Sequence, residues 1–245
     1  MTFKMLHAHD ASGTYHDFVF QQTFEKLYND LTIETLKQIN QILPTGTIID
    51  YGAGNGRLSL PLSNQGYKVI AVEKSIGMID EFREKLKGLN HGIDLHHCTI
   101  SEFNNGHADL AIALFTVLSY SVTEEELSTN IQNICKHVNP KGYFFFDLPD
   151  SVFFAHESLI NMESRTFKRK VDLIRNPEKD VYTYREQCSG VLNNQEFNYT
   201  EEFKIRYWEL SALDKLLNEN GFMDTLKTFP EFNMTGSTYK LYQKV

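Results

Sequence analysis

The stretch IIDYGAGNGRLSLPL, residues 48–62, places three glycines within five positions, directly after an apolar run that ends in an acid. The run TIIDY, 47–51, predicts a fully buried β-strand, and the residues after the glycines predict a helix that Gly66 closes. Glycine adopts positive φ and lets a ligand approach main-chain atoms that a Cβ would hold away. The stretch therefore predicts a strand, a turn with little side chain, and a helix.

The chain on both sides of this stretch alternates between strand and helix patterns. Residues 67–73 predict a second strand and 76–87 an amphipathic helix, which extends the pattern to a parallel βαβ unit. Further predicted elements are strands at 94–100, 108–118 and 142–148, a helix at 123–138 capped by Thr123, a helix at 209–222, and strands at 222–229 and 237–245. Together they predict an α/β fold with a Rossmann-like, seven-stranded, mostly parallel sheet and helices on both faces.

An insertion interrupts this alternation after the fifth strand. It is rich in β-branched and aromatic residues, with the turn signals NPEKD and LNNQ between the runs. The pattern predicts three antiparallel strands, at 165–175, 180–191 and 195–206. At the other end of the chain, residues 16–43 carry apolar positions at helical spacing and predict one or two helices.

A length of 245 residues suits one large domain with an inserted subdomain. We expect a core formed by residues 1–150 and 208–245, in which residues 1–45 are a helical cap. Residues 151–207 are the expected antiparallel insertion.

Composition narrows the classes of partner. The net charge of −8 predicts a surface that repels phosphate backbones and anionic lipids, so we expect no nucleic acid partner and no membrane. The longest apolar runs are far shorter than the ~20 residues that span a bilayer, and the first residues lack the apolar core of a signal peptide. We therefore expect a cytoplasmic protein. The sequence leaves a homodimer open.

No metal site is expected. The three cysteines are widely spaced and include no C-x-x-C motif, which supports neither a zinc site nor a disulfide framework. The run His96, His97, Cys98 lies in a predicted strand, where neighbouring side chains point to opposite faces and cannot easily share one ion.

The glycine turn and a later acid together predict a nucleoside pocket. In open parallel sheets, ligands bind beyond the carboxyl ends of the strands where strand order reverses. Glu73 ends the second strand 21 positions after Gly52, where an acid can accept hydrogen bonds from ribose hydroxyls. The dinucleotide fingerprint needs a third glycine at position 57, which is Arg57, so the spacing disfavours a nicotinamide dinucleotide.

The motif D-x-G-x-G-x-G from Asp50 to Gly56, with Glu73 after it, resembles that of the class I S-adenosylmethionine-dependent methyltransferases. The resemblance covers most of the chain outside the insertion and implies S-adenosylmethionine as cofactor. It implies that the backbone of Gly52, Ala53 and Gly54 lies against the methionine moiety, that Asp50 organises the loop, and that Glu73 binds the ribose.

The resemblance also implies the walls around the adenine and the transferred methyl group. Lys74 and Met78 would border the adenine. Thr99 stands where the family usually has an acid, so the Thr99 hydroxyl or the Ile100 N–H would meet the adenine. The run from Leu114 to Tyr120, which includes Phe115 and Thr116, would line the wall beside the methyl group.

The expected acceptor is a small molecule. Family members that methylate nucleobase or amide nitrogens carry an [N/D]-P-P-[Y/F] tetrad after the fourth strand, where this chain reads FTVLSY. The N-terminal helices and the insertion resemble the cap and lid of small-molecule methyltransferases, including those that act on glycine-like amines and amino sugars. We therefore expect in-line methyl transfer to an amine nitrogen, a reaction that does not require a dedicated catalytic base.

Candidate substrate contacts are Tyr15, Tyr120, Asp147 and His156, and Tyr15, Tyr120 and His156 are also the candidates for catalysis. Each has an alternative. The tyrosines can be half-buried packing residues, Asp147 can orient the local backbone, and His156 can be a solvent-facing loop residue.

Two other functions stay open. One is a non-catalytic S-adenosylmethionine-binding protein of the same fold. Thr99 favours this alternative, because it stands where the methyltransferases that the chain resembles usually have an acid. The other is a nicotinamide-dependent oxidoreductase, against which the glycine spacing argues. The sequence does not identify the acceptor or the number of methyl groups transferred.

Overall fold

The computed structural model describes residues 7–24 and 26–245. A 3₁₀ turn at Gly13–Tyr15 and the helices α1 (His16–Phe24) and α2 (Lys26–Ile42) precede the first strand. The strands are β1 (Thr47–Tyr51), β2 (Lys68–Glu73), β3 (Ile93–His97), β4 (Ala108–Ala113), β5 (Val138–Pro149), β6 (Ser158–Glu163), β7 (Phe167–Arg175), β8 (Val181–Leu192), β9 (Gln195–Arg206), β10 (Phe222–Asp224) and β11 (Ser237–Lys244). The remaining helices are α3 (Ser59–Asn64), α4 (Ile76–Leu86), α5 (Glu124–His137), α6 (Ser151–Phe154) and α7 (Leu210–Glu219).

Seven strands form the main sheet in the order β3-β2-β1-β4-β5-β11-β10. In the described pairings of this sheet, β11 is antiparallel to both of its neighbours, β5 and β10, and the pairings among the other strands are parallel. The predicted seven-stranded, mostly parallel α/β sheet is therefore confirmed. Because the chain leaves β1 toward β2 and later returns to its other side as β4, strand order reverses at β1 and β4. Ligands bind at such a reversal in open sheets of this kind.

The core lies on both faces of the main sheet. Side chains alternate along a strand, so Phe144 and Phe146 pack on the face that α5 and α7 cover, and Phe145 packs on the face that α2 and α3 cover. All three rings are fully buried. In this part of β5 neither face is exposed to solvent, which explains the continuous apolar run of the strand.

The insertion differs from the prediction in its number of strands. It is a four-stranded antiparallel sheet in the order β6-β7-β8-β9, not a three-stranded one. The missed strand, β6, lies at the edge of this sheet and pairs with β7, and the register shifts between Ser158 and Ile160. Most of its side chains are exposed, so its sequence SLINME carries little of the alternation that marks a half-buried strand.

Several strands of the main sheet are shorter than predicted, and the third, β3, ends at His97 rather than at 100. The fourth ends at Ala113 rather than 118, because Phe115 and Thr116 take positive φ values of 74° and 67°. The sixth, β10, ends at Asp224, close to Leu226 with its φ of 60°. The capping box of α5 is confirmed, since Thr123 Oγ1 accepts from Glu126 N and the Glu126 carboxylate accepts from Thr123 N.

The insertion packs directly on the N-terminal part of the chain. Val19 of α1 shares a buried cluster with Phe167, Cys188 and Phe197 of the inserted sheet, and Tyr15 packs against it. Both segments therefore lie over the same edge of the core. Among the described helices, none is long and apolar enough to cross a membrane.

Candidate functional site

The glycine turn follows β1 at the carboxyl end of the sheet. Gly52, Gly54 and Gly56 have φ values of 70°, 56° and 90°. A Cβ on Gly52 would lie 2.5 Å from Val117 Cγ2, and a Cβ on Gly56 would lie 2.4 Å from Phe82 Cε2. These two glycines are therefore required by the protein's own packing. A Cβ on Gly54 would meet only Met78 Sδ at 3.9 Å, so its backbone faces open space.

Glu73 joins this turn to the end of β2. Its Oε2 accepts a hydrogen bond from Gly54 N at 2.8 Å. Its Oε1 accepts from Lys74 N and Ser75 N, each at 2.8 Å. The carboxylate is buried, and it holds the backbone of two loops beside the cavity described below.

Asp50 anchors the other side of the turn. Its Oδ2 accepts a hydrogen bond of 2.6 Å from Ser59 Oγ at the start of α3. Burial raises the pKa of Asp50 to about 6, although the Ser59 hydrogen bond and the charge of Arg57 act in the opposite direction. Asp50 therefore ties the end of β1 to the helix that follows the glycines.

Asp147 at the end of β5 holds the loop that follows β4. Its Oδ1 accepts from Phe115 N at 2.5 Å and from Thr116 N at 3.1 Å. Burial raises the pKa of Asp147, against the lowering effect of these backbone bonds. The contacts match the alternative in which Asp147 orients the local backbone, and they support the positive φ of both loop residues.

A cavity of about 1050 Å³ opens at this edge of the sheet. It brings together most of the predicted site residues: Asp50, Gly52, Ala53, Gly54, Glu73, Lys74, Met78, Thr99, Ile100, Leu114, Phe115, Thr116, Tyr120 and Asp147. The helices α1 and α2 and the inserted sheet supply the remaining walls. The core and the two covering segments therefore build one compartment.

Three predicted residues lie outside the lining of this cavity. Gly56 packs under Phe82. Tyr15 stacks on Phe197 with 4.3 Å between ring centroids, which agrees with its packing alternative. His156 is exposed in the loop after α6, which agrees with its solvent-facing alternative. Among the described residues, no cluster of His, Cys, Asp and Glu side chains could hold a metal ion.

Thr99 is engaged by a nearby acid that the sequence analysis did not single out. Its Oγ1 donates to Glu102 Oε2 at 2.7 Å, and its backbone N donates to the same oxygen at 3.0 Å. Glu102, three residues after Thr99, therefore holds both the hydroxyl and the backbone N–H of Thr99.

The sequence analysis also missed His9 and Arg57 as cavity residues. His9 Nε2 lies 2.7 Å from Tyr120 Oη, and its Nδ1 lies 3.2 Å from Glu201 Oε1 on β9. The Arg57 guanidinium lies 4.7 Å from the centroid of the Phe115 ring and donates to Thr32 Oγ1. Neither residue belongs to a local pattern, since the partners come from distant parts of the chain.

The inserted sheet brings a buried ion pair to the wall. Arg169 donates through Nε and Nη2 to the two oxygens of Glu186, each at 3.0 Å. Tyr184 and Tyr199 donate to the same carboxylate, and Arg169 Nη1 reaches Thr23 of α1. Burial raises the pKa of Glu186, but the Arg169 charge and these hydrogen bonds outweigh it and hold that pKa below its usual range.

Comparison with protein families places the site within a matched region. Residues 48–142 match the sequence model of a family described as a methyltransferase domain. This region runs from β1 into β5 and includes the glycine turn and Glu73. No curated protein matches the chain.

Solved structures show the same fold. A S-adenosylmethionine-dependent methyltransferase from Clostridium acetobutylicum has 17% identity and a TM-score of 0.78, with 94% of this chain and 98% of that chain covered. A sugar N-methyltransferase from Streptoalloteichus has 15% identity, a TM-score of 0.72, and 94% and 92% covered. An amino pentose methyltransferase from Micromonospora echinaspora, with S-adenosylmethionine bound, has 16% identity, a TM-score of 0.70, and 94% and 96% covered. The likeness includes the insertion, since each alignment covers nearly the whole chain.

Proposed function

We propose that this protein is an S-adenosylmethionine-dependent methyltransferase that acts on a small-molecule acceptor at an amine nitrogen. The observation that carries the proposal is the open backbone of Gly54, held by Glu73 against a large cavity at the reversal of strand order. The match of residues 48–142 to a methyltransferase domain supports the same conclusion.

The residues at the end of the sheet fit the proposed cofactor. The bare face of Gly54 leaves room for main-chain contact with an amino-acid moiety. Glu73 Oε1 already accepts two backbone hydrogen bonds, whereas Oε2 accepts only the one from Gly54 N and retains an acceptor lone pair, which suits a ribose hydroxyl. Met78 and Ile100 would border the adenine. S-adenosylmethionine supplies an electrophilic methyl group and leaves as a neutral thioether.

The size and cover of the cavity support a second small ligand. Pockets for one small molecule measure about 300–1,000 Å³, and this cavity of about 1050 Å³ has room for cofactor and acceptor together. Phe20 and Tyr28 of the N-terminal helices and Tyr184 and Phe203 of the insertion line it. We propose that residues 151–207 act as the substrate lid, because these aromatic walls would exclude water from the reaction.

The charges of the acceptor side suit an amine. Burial lowers the pKa of His9, but the hydrogen bond and charge of Glu201 behind the cavity wall raise it, so Glu201 favours a nearby cation. Two structures with the same fold are named as sugar N-methyltransferase and amino pentose methyltransferase, which supports an amino group as the methylated site. From the sequence we also propose a cytoplasmic location, no nucleic acid partner and a homodimer.

Calorimetry with S-adenosylmethionine and with its product S-adenosylhomocysteine tests the proposal, and we expect micromolar binding of both. A methyl-transfer screen over amine, sugar and carboxylate metabolites then identifies the acceptor class, with amines expected to react. Binding without transfer to any acceptor would favour the non-catalytic alternative. Binding of NADH in a fluorescence titration, without binding of S-adenosylmethionine, would favour the oxidoreductase alternative.

A further inference from the structure

His9 lies between a tyrosine of the core and a glutamate of the insertion. Tyr120 Oη is 2.7 Å from His9 Nε2, and Glu201 Oε1 is 3.2 Å from His9 Nδ1. His9 and Tyr120 both line the cavity, whereas Glu201 lies behind them and is buried. The three side chains form one continuous row of polar contacts that leads from the cavity into the protein. A hydrogen bond joins Tyr120 to His9, and Glu201 contacts His9 both directly and through the Ser12 hydroxyl.

The surroundings of His9 fix its tautomer. Nδ1 faces Glu201 Oε1 and Ser12 Oγ, and the Ser12 hydroxyl already donates its proton to Glu201 at 3.0 Å. Nδ1 therefore meets only acceptors and must carry the hydrogen. Nε2 is left to accept from the Tyr120 hydroxyl, which makes it the free base of the ring.

The backbone around His9 is held in an uncommon conformation. His9 has a φ of 68°, a value that costs free energy for a residue with a Cβ. The segment is fixed because Gly13 and Gly77 pack so closely that a Cβ on Gly13 would lie 2.3 Å from Gly77 C. Asp10 Oδ1 also accepts from Ile76 N at the start of α4, at 2.9 Å. The loop is therefore anchored directly after His9, at Asp10 and at Gly13.

Acidic groups surround His9 from several elements. Burial lowers the pKa of His9, but the hydrogen bond and charge of Glu201, with the charges of Glu186 and Glu73, raise it above its usual value. The His16 ring lies 6.0 Å from the His9 ring between centroids, and burial lowers the pKa of His16, which favours its neutral form. Lys74 Nζ lies 5.2 Å from the centroid of the Tyr120 ring. Glu201 Oε2 has no hydrogen-bond partner among the described residues, so the carboxylate favours a cation at His9.

We propose that Tyr120 and His9 form a proton-accepting pair for the acceptor amine, with Glu201 as the positioning residue of His9. This inference rests on the proposed function. An amine must be neutral to attack a methyl group, so an ammonium that enters the site must first lose a proton.

The proton transfer has two parts. The acceptor ammonium gives a proton to the Tyr120 oxygen, and the Tyr120 hydroxyl proton moves to His9 Nε2. The net change is one ammonium deprotonated and one imidazolium formed, while Tyr120 returns to its neutral form. Glu201 stabilises the imidazolium through Nδ1–H. The amine lone pair is then free to form the new N–C bond.

Histidine NMR tests the pair without an acceptor. The protein is labelled with ¹⁵N-histidine and saturated with S-adenosylhomocysteine, and the His9 signal is identified by its loss in His9→Gln. We expect the Nδ1–H tautomer at high pH and a titration midpoint that moves to lower pH in Glu201→Gln. A His9 signal in the Nε2–H tautomer, or one whose midpoint is the same in Glu201→Gln, would overturn the proposal.

Kinetics with an amine acceptor from the screen provide the second test. Because His9 must be neutral to accept a proton, we expect kcat to fall as pH drops through its pKa. His9→Gln and Tyr120→Phe should each lower kcat by about 100-fold or more. Glu201→Gln should lower kcat less and move the acid limb to lower pH, which a merely structural role would not do. His107 is exposed, and His107→Gln serves as the control, which should keep the wild-type kcat and acid limb.

Calorimetry separates failure of this inference from failure of the proposed function. If the wild-type protein does not bind S-adenosylmethionine, the proposed function and the inference both fail. If all variants bind the cofactor and the His9→Gln variant keeps the wild-type kcat and acid limb, only the proton path fails.

Discussion

The backbone N–H of Gly54 donates a hydrogen bond of 2.8 Å to Glu73 Oε2, which joins the turn after β1 to the end of β2. Two residues that lie 19 positions apart in sequence thereby form one rigid edge of the cavity. The glycine offers the bare backbone and the acid fixes its position. This pair is the basis of the first two predictions.

Gly54→Ala should remove cofactor binding. The substitution strains a residue with φ of 56° by about 1–2 kcal/mol and places a methyl group on the face that is open to the cavity. Gly66→Ala is the matched control, because Gly66 has φ of 95° and also faces open space but lies outside the cavity lining. Calorimetry and chemical denaturation should show a similar loss of stability in both variants and a loss of binding only in Gly54→Ala. Equal cofactor affinity in the two would contradict the assigned role of Gly54.

Glu73→Gln should weaken both the loop and the cofactor site. Glutamine keeps one acceptor oxygen but loses the charge and one set of backbone hydrogen bonds, so the free energy of unfolding should fall by about 1–3 kcal/mol. We expect cofactor affinity to fall at least about tenfold. The control is Glu84→Gln at an exposed position of α4, which removes the same charge without these contacts. Its unfolding free energy and cofactor affinity should match those of the wild type. If denaturation and calorimetry gave the same values for both variants, the hydrogen bonds of Glu73 would be unimportant.

Asp50 should make stability depend on pH in a defined window. Its folded-state pKa of about 6 lies above the unfolded value of 3.8, so its contribution is fully present below pH 3.8 and is lost as pH rises through 6. The difference in unfolding free energy between wild type and Asp50→Asn should therefore change by about 2 kcal/mol between pH 4 and 7, in the direction that favours the variant at higher pH. Urea denaturation at several pH values measures this difference. A difference that is constant with pH would show that Asp50 titrates normally.

Two ion pairs of the inserted sheet should differ strongly in energy. Arg169 and Glu186 are buried, with 1% and 3% of their side chains exposed, whereas Arg185 and Glu202 are about half exposed. Arg169→Met leaves a buried carboxylate without its cation and should cost about 3–5 kcal/mol of unfolding free energy. Arg185→Met, the matched control, should cost less than about 1 kcal/mol.

A double-mutant cycle separates the Arg169 pair from general loss of packing. Restoring neutrality with Arg169→Met and Glu186→Gln together should recover part of the stability lost in the single variant, because the unpaired buried charge is gone. Simple addition of the two single effects would mean that the pair does not act as a unit.

Much of the fold could be read from local sequence patterns. The succession of strands and helices along the chain follows from patterns that repeat within short segments. The start of α5 is marked by Thr123, whose capping partner Glu126 lies only three positions further along. The edge strand β6 was not predicted, because most of its side chains are exposed and its sequence lacks the alternation of apolar and polar residues that marks a strand. The end of β4 was predicted too late in the sequence, because the positive φ of Phe115 and Thr116 depends on Asp147, more than 30 residues away.

The sequence by itself determined the α/β architecture, the glycine turn and the acid at the end of the second strand. These features depend on backbone periodicity and on the steric freedom of glycine, which are properties of neighbouring residues. Only the tertiary structure decided which side chains meet in and behind the cavity: His9 contacts Tyr120, 111 positions away, in the cavity, and Ser12 contacts Glu201, 189 positions away, behind it. Such partners lie on loops and strands that tertiary packing brings together. Local sequence patterns therefore do not predict which residues will be in contact.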